Sequence, residues 1–252
     1  MNQNLDNEIL WYEDNPWINA KHFLMRWPFV NTQRHAYAYK IARENVRGAL
    51  KNYLKKNEIQ LQKALIAPCG VDGDQDVLKG LSRVFYGIDI SQKAIELCTP
   101  KIKKKVGDII KSGYESGFFD AVASLLFFHH LPEEQFASYL REFYRILNNE
   151  GLLFILEPSR LYPLSRLMSL GRMVFGNISG LVPDEAPIYP SKLSSALVNA
   201  GFEVELLQSV SFSHVRIPLP IQKVINSLPK AVLRTPAIRE MGWMVLWICK
   251  KP

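Results

Sequence analysis

Short apolar runs alternate with helical stretches through the middle of this chain, and this alternation restricts the possible folds more than any other feature. The helical stretches, at about 74–81, 91–98 and 133–147, separate most of the runs. Because neighbouring parallel strands need a long, usually helical crossover, the pattern predicts βαβ units and a parallel sheet covered on both faces. The five runs predicted as strands are 64–67, 83–88, 105–107, 118–124 and 152–156.

The flanking sequence predicts further elements and two covering segments. Apolar positions at three- and four-residue spacing predict a helix over 38–56, which follows an aromatic-rich lid at 1–36. Residues 159–189 are too long for a simple connection and predict a cap over a ligand site within one α/β domain, 37–252. The predicted C-terminal elements are a helix at 190–200, a strand at 202–207, a proline-rich loop and a strand at 242–249.

Composition places the chain among globular proteins, because 48% of its 252 residues are hydrophobic and 22% are charged. No apolar run approaches the roughly 18 residues of a membrane helix, and the first residues lack the basic flank and apolar core of a signal peptide. Three widely spaced cysteines without a CxxC pair argue against a disulfide framework or a zinc site. We therefore expect a cytoplasmic protein that holds no metal.

The net charge of +7 raises the question of an anionic partner. The positive charge is largely diffuse, with one dense cluster at Lys101, Lys103, Lys104 and Lys105. This cluster is either a solvated edge or the source of a weak attraction to anionic lipid or an acidic substrate. No zinc-finger spacing or RNA-binding aromatic signature is present, so we expect no nucleic acid partner and allow a peripheral membrane contact.

Three predicted strand ends carry residues suited to an adenosine-containing ligand. In an open α/β sheet, ligands bind beyond the carboxyl ends of the strands. A glycine turn at 67–74 follows the first strand and permits close backbone approach to a ligand. Asp89 ends the second strand, where an acid accepts hydrogen bonds from ribose hydroxyls, and Asp108 ends the third, where it accepts from an adenine amino group. Each aspartate alone is equally explained as a helix cap.

His129 and His130 are the candidate catalytic residues, because they follow the fourth strand and histidine titrates near neutral pH. Either one acts as a base toward an O–H or N–H acceptor or orients the loop before the next helix. Glu157 ends the fifth strand, where it touches an acceptor, caps a loop or forms an ion pair. Cys69 is interpreted as a small packing residue in the glycine turn.

These features resemble the class I S-adenosylmethionine-dependent methyltransferases over about residues 40–210, most closely the small-molecule branch of ubiquinone and menaquinone biosynthesis methyltransferases. The matching pieces are Cys69-Gly70, Gly87-Ile88-Asp89-Ile90-Ser91, Gly107-Asp108-Ile109, Phe119-Asp120-Ala121-Val122, Leu125 to Pro132, Leu147 to Gly151 and Ala200-Gly201-Phe202. The resemblance implies a Rossmann-like sheet of seven strands, mostly parallel, with the last strand antiparallel.

The resemblance also assigns roles in binding the cofactor S-adenosylmethionine. It implies that Asp89 holds the ribose, that Ile90 packs on the adenine, and that Asp108 and Ile109 read the adenine edge. Ser124 and Leu125 line the methionine part. The glycine turn departs from the family pattern at Ile66 and Pro68, so Asp72, Asp74 or backbone carbonyls contact the methionine amino group. Asp72 is equally explained as a turn residue. The full predicted cofactor set is Ala67, Pro68, Cys69, Gly70, Asp72, Gly73, Asp89, Ile90, Asp108, Ile109, Ser124 and Leu125.

The predicted function is methyl transfer to a small, partly hydrophobic or lipid-like acceptor enclosed by the lid and the cap. The aromatic composition of these segments is equally explained by packing against each other or by a homodimer contact. A non-catalytic methyltransferase fold that acts as a scaffold is the main alternative. An NAD(P)-binding oxidoreductase is a weaker one, because the glycines at 70, 73 and 80 do not form the Gly-x-Gly-x-x-Gly pattern.

Overall fold

The computed structural model describes residues 32–70, 75–98, 101–165, 186–214, 217–227 and 230–252. These residues form a seven-stranded sheet in the order β3-β2-β1-β4-β5-β7-β6. The strands are β1 (Leu61–Ile66), β2 (Ser82–Asp89), β3 (Lys103–Val106), β4 (Phe119–Leu125), β5 (Leu147–Pro158), β6 (Glu203–Ser211) and β7 (Met244–Lys250). The helices are α1 (Thr32–Lys56), α2 (Gln75–Leu78), α3 (Gln92–Leu97), α4 (Glu133–Ile146), α5 (Pro190–Asn199) and α6 (Leu219–Asn226).

The pairing confirms the predicted Rossmann-like topology. Neighbouring pairs among β1 to β5 are parallel, whereas β7 runs antiparallel to both β5 and β6. Strand order reverses between β1 and β4, which is the position where open α/β sheets bind ligands. The predicted α/β class, the seven strands and the antiparallel last strand are therefore all correct.

Hydrophobic packing on both faces of the sheet explains why the strands read as nearly continuous apolar runs. One buried cluster joins the α1 residues Val46 and Leu50 to Ile66 and Phe154. The other joins α4, through Phe136 and Phe143, to the opposite face of β4 and β5. Burial on two faces removes the polar alternation that marks a solvated strand.

Several boundaries differ from those predicted. Helix α1 begins at Thr32, six residues before the predicted start, and therefore takes in the last five residues of the predicted lid. Strand β5 begins at Leu147 rather than at residue 152 and has an irregular register beside Phe119. The proline-rich stretch interpreted as a loop contains α6, whose first turn tolerates Pro220 because N-terminal N–H groups lack helical partners.

The predicted lid and cap lie mostly outside the described residues, which begin at residue 32 and omit 166–185. The two described ends of the cap meet beside β5, where Ser159 and Ile188 form a parallel bridge. The N–H of Ala186 then donates to the carbonyl of His129 at 3.1 Å. Among the described helices, none combines the length and apolar character needed to cross a bilayer.

Candidate active site

A cleft opens beyond the carboxyl ends of β1 to β4, on the side where strand order reverses. It is narrow in this structure, because its cavity measures only about 20 Å³ within about 300 Å³ of empty space that includes open solvent. Its walls hold both predicted aspartates and both predicted isoleucines. The lining residues are Pro68, Asp89, Ile90, Gly107, Asp108, Ile109, Phe127 and Tyr139.

Asp89 is the buried carboxylate of this cleft, with 3% of its surface exposed. Its Oδ2 accepts the N–H of Gly70 at 2.9 Å, and its Oδ1 accepts the N–H of Ser91 at 3.0 Å. Burial raises the pKa of Asp89, and the backbone N–H groups of Ser91, Gly70 and Ile90 oppose that rise. Because a carboxylate has about four acceptor sites and three backbone N–H groups use three of them, Asp89 holds the glycine turn in place and keeps capacity for one ligand hydroxyl.

Asp108 combines the two alternative interpretations made from the sequence. It is the N-cap of a short 3₁₀ helix (Ile109–Lys111), where its Oδ1 accepts the N–H of Ile110 at 2.9 Å. It also lines the cleft beside Asp89, together with Ile109 from the same turn. The cap fixes the orientation of Asp108, which leaves its second oxygen for a polar ligand edge.

The glycine turn after β1 has a structural role in its first half. Ala67 is buried and donates its N–H to the carbonyl of Ala123 at 2.9 Å, while Pro68 lines the cleft. Gly70 adopts a φ of 49°, a left-handed conformation that favours glycine. The predicted cofactor residues Asp72 and Gly73 lie outside the described residues.

Cys69 packs in the core, as predicted for a small residue of the turn. Its thiol contacts the thiol of Cys98, and this hydrogen bond together with burial raises the pKa of Cys69. The thiol form is therefore strongly favoured, and Cys69 does not act as a nucleophile. The spacing of the cysteines gave no sign of this contact, because the intervening crossover through β2 and α3 creates it.

Two residues of the cleft wall are aromatic, which the sequence did not predict. Phe127 follows β4, Tyr139 lies on α4, and their ring centroids are 5.0 Å apart in an edge-on arrangement. The only indication in the sequence was the helical spacing of apolar residues on α4, and ordinary core packing produces the same spacing. An apolar and aromatic slot with carboxylates at its rim suits a flat base joined to a sugar.

The loop that supports this slot is tied to α4 by a buried carboxylate. Glu142 accepts hydrogen bonds from Ser112 and from Arg145, and Arg145 also donates to the carbonyl of Tyr114 at 2.8 Å. Burial alone would raise the pKa of Glu142, but the hydrogen bonds from Arg145 and Ser112 outweigh it and lower the pKa. These contacts fix the segment that carries Ile109 against the helix that carries Tyr139.

His129 and Glu157 form a buried pair just beyond the cleft. Nδ1 of His129 lies 2.7 Å from Oε2 of Glu157, and the side chains are 7% and 0% exposed. Oε1 of Glu157 accepts the N–H groups of Phe127 and Phe128 at 2.8 and 2.7 Å. A carboxylate against Nδ1 favours the tautomer with a proton on Nδ1 and none on Nε2. Glu157 is thus both a loop cap and the partner of a candidate base.

The remaining predicted residues lie near the cleft but not in its wall. The ring of His130 is 4.0 Å from that of His129, centroid to centroid. Ser124 is fully buried, and within the described ranges its hydroxyl finds no hydrogen-bond partner. Leu125 belongs to the core on the α1 side of the sheet. The part of the chain that is described contains no cluster of three or more metal-ligating side chains.

Comparison with known proteins gives a family match and a fold match. Residues 67–155 match a family model described as a methyltransferase domain. No curated protein matches the sequence. A structure from Thermotoga maritima, described as a SAM-dependent methyltransferase and possible histamine N-methyltransferase, is similar with a TM-score of 0.63 at 15% identity, covering 96% of this chain and 100% of that one.

Two further structures show how widely the fold is used. Magnesium protoporphyrin IX methyltransferase from Synechocystis, solved with bound SAH, has a TM-score of 0.63 at 11% identity and covers 99% of this chain and 100% of its own. The [4+2]-cyclase SpnF has a TM-score of 0.51 at 18% identity and covers 76% of this chain and 75% of its own. At these identities the likeness concerns the fold.

The matched segment and the fold confirm the predicted class, an S-adenosylmethionine-dependent methyltransferase, and with it the predicted cofactor. The matched segment begins at Ala67 in the glycine turn and ends at Ile155 in β5. It therefore includes Asp89, Asp108 and the histidine pair. The predicted closeness to ubiquinone and menaquinone biosynthesis enzymes stays a prediction.

Proposed function

We propose that this methyltransferase transfers a methyl group to a small, partly hydrophobic acceptor that is bound beside His129, near Ala186. The observation that carries the proposal is the adjacency of two features at one sheet edge. One is the cleft with Asp89 and Asp108, and the other is the buried His129–Glu157 pair, linked to the cleft through Phe127.

The lining of the cleft fits the nucleoside half of S-adenosylmethionine. Ile90, Ile109, Phe127 and Tyr139 supply apolar contact for a flat base. The remaining acceptor site of Asp89 suits a ribose hydroxyl, and Asp108 suits an exocyclic amino group.

The bound cofactor supplies an electrophilic methyl group on a sulfonium, so the chain mainly has to orient the acceptor and exclude water. His129 receives the proton of an O–H or N–H acceptor at Nε2, while Glu157 holds Nδ1–H and stabilises the resulting imidazolium. The backbone N–H groups of Phe127 and Phe128 fix Glu157 in turn, so the base is held without side-chain freedom.

The hydrophobic part of the acceptor is inferred from the surroundings of His129. The bond from Ala186 to the His129 carbonyl brings the end of the cap segment to the candidate base. Residues 159–189 are rich in apolar side chains, and Leu161 and Tyr189 at the described ends of this segment are exposed. An acceptor with an apolar body and one ionisable O–H or N–H matches this setting.

A labelled methyl-transfer assay tests the proposal. The protein is incubated with methyl-labelled S-adenosylmethionine and an extract of its own source cells, and the label is then separated by acid precipitation and organic extraction. We expect the label in the acid-soluble, organic-extractable fraction, and less of it with His129→Asn. Label in precipitated RNA or protein contradicts a small acceptor, and label that stays in water contradicts a hydrophobic one.

The alternative of a fold without methyl transfer receives specific support from the resemblance to a cyclase of the same fold. The same assay separates the two functions. If S-adenosylmethionine binds but no labelled product forms in any fraction, the non-catalytic or non-methylating interpretation is favoured.

A further inference from the structure

Helix α6 leaves two branched apolar side chains exposed while it buries a glutamine. Gln222 is fully buried, and its Nε2 donates to the carbonyl of Ile217 at 2.7 Å. Ile221 and Val224, about one turn apart on the outer side, are 53% and 68% exposed. A surface helix of a globular protein normally buries its apolar side chains. The exposed pair marks the outer side of α6 as a surface that contacts another molecule or a membrane.

The two chain segments next to this surface are rich in basic residues. Helix α6 packs on α1, and the sequence from 206 to 239 contains five basic residues and no acidic ones. Helix α1 contains seven basic residues and one acidic residue. Together the two segments contain 12 of the 31 basic residues of the chain but only one of its 24 acidic residues. The rest of the chain, with 19 basic and 23 acidic residues, has a net charge of −4.

These two segments are distant in sequence but pack side by side. The Nδ2 of Asn45 on α1 donates to the carbonyl of Val210 on β6 at 2.8 Å, which joins the two basic segments directly. Lys223 is exposed on α6 between Ile221 and Val224 in sequence, beside the apolar side. Arg234 is exposed as well, although its Nε donates to Gln208.

We propose that the outer side of α6, with its basic surroundings, docks this protein on an anionic phospholipid bilayer. Exposed branched apolar side chains bordered by cations suit the boundary between headgroups and acyl chains. A nucleic acid shares the negative charge but offers no apolar phase for Ile221 and Val224. The surface also follows the carboxyl end of β6, at the same edge of the sheet as the cleft.

Vesicle co-sedimentation tests this docking without cofactor or acceptor. The probes are vesicles of phosphatidylglycerol with phosphatidylcholine and vesicles of phosphatidylcholine alone, at low and at physiological salt. We expect wild-type protein to bind the anionic vesicles only, and more weakly at higher salt. Ile221→Ser/Val224→Ser should lower the partition coefficient at least tenfold, and Lys223→Gln should lower it about fivefold.

Val198 provides the matched control, because it is 60% exposed on α5 and lies outside the basic segments. Val198→Ser should bind vesicles as wild type does, and all variants should keep the wild-type thermal midpoint and cofactor affinity. Failure of the wild type to bind anionic vesicles overturns the docking. So does equal binding by the double variant, RNA binding that displaces the vesicles, or dimer formation through Ile221 and Val224 without vesicle binding. None of these results bears on methyl transfer, which the labelled assay tests separately.

Discussion

Replacing Glu157 by Gln is the sharpest perturbation of the candidate catalytic pair. The substitution keeps the shape of the side chain but exchanges one acceptor oxygen for an NH₂ group. The amide oxygen of the new side chain can still accept from Phe127 and Phe128, which Glu157 holds through Oε1. Its NH₂ group then faces Nδ1 of His129, where a carboxylate oxygen stood at 2.7 Å. A donor in that position favours a bare Nδ1 and moves the imidazole proton to Nε2.

The expected effects follow from these contacts. Hydrogen bonds to a charged acceptor contribute about 1.5–3 kcal/mol, so Glu157→Gln should destabilise the protein by about 2–3 kcal/mol. Methyl transfer should fall roughly 10²–10⁴-fold, the usual contribution of a general base, because the basic Nε2 is lost. Glu133→Gln is the matched control, since Glu133 is an exposed partner of Lys192 and should change stability by less than about 1 kcal/mol.

Nitrogen-15 NMR of the imidazole tests the tautomer without knowledge of the acceptor. Wild-type protein should show a protonated Nδ1 and a bare Nε2 for His129, and Glu157→Gln should reverse them. Thermal unfolding of the same samples gives the stability change. A wild-type His129 with its proton on Nε2, or a tautomer that is unaffected by Glu157→Gln, would refute the proposed positioning role of Glu157.

Two stability predictions concern residues that shape the cleft. Glu142→Gln should destabilise the protein by about 1–2 kcal/mol at neutral pH. The pKa of Glu142 is lowered in the folded protein, so its ionised carboxylate stabilises the fold above the unfolded pKa of about 4.3. This stabilisation disappears as the pH falls through the folded-state pKa. The thermal midpoints of variant and wild type should therefore differ at neutral pH and converge in acid. Gly87→Ala places a Cβ 3.0 Å from Cβ of Cys69 and should destabilise by about 1–3 kcal/mol in a denaturant titration. Gly48→Ala should instead stabilise α1 by about 0.5–1 kcal/mol, because the space around the added Cβ is open. Destabilisation by Gly48→Ala, or no change in stability with Gly87→Ala, would contradict the packing described.

The sequence predicted the parts of the site that depend on local order along the chain. Asp89 and Asp108 each follow a short apolar strand, and parallel strands end at one edge, so their shared cleft follows from the strand pattern. The pairing of His129 with Glu157 depends on β4 and β5 lying side by side. The sequence offered an ion pair for Glu157 only as one of several roles and did not name its partner.

The sequence did not predict other features, because they depend on packing between segments that are distant along the chain. Tyr139 has the helical spacing of a core residue, and only the position of α4 over the cleft gives it a second role. Helix α6 was interpreted as a loop because prolines at both its ends resemble turn signals, although Pro220 occupies the first turn of the helix. The packing of α6 beside α1 likewise could not be predicted, because it joins segments that are distant along the chain.

Calorimetric titration with S-adenosylmethionine tests most directly whether the Asp89–Asp108 cleft binds the nucleoside. Asp120 supplies a matched control, because its Oδ2 also holds two backbone N–H groups, those of Gln62 and Lys63, at the opposite end of the strands. We predict that wild-type protein and Asp120→Asn bind S-adenosylmethionine alike, whereas Asp89→Asn binds at least tenfold more weakly, as expected for a lost hydrogen bond to a charged group. Equal affinity for Asp89→Asn and the wild type, with both proteins folded, would contradict the assignment of this cleft.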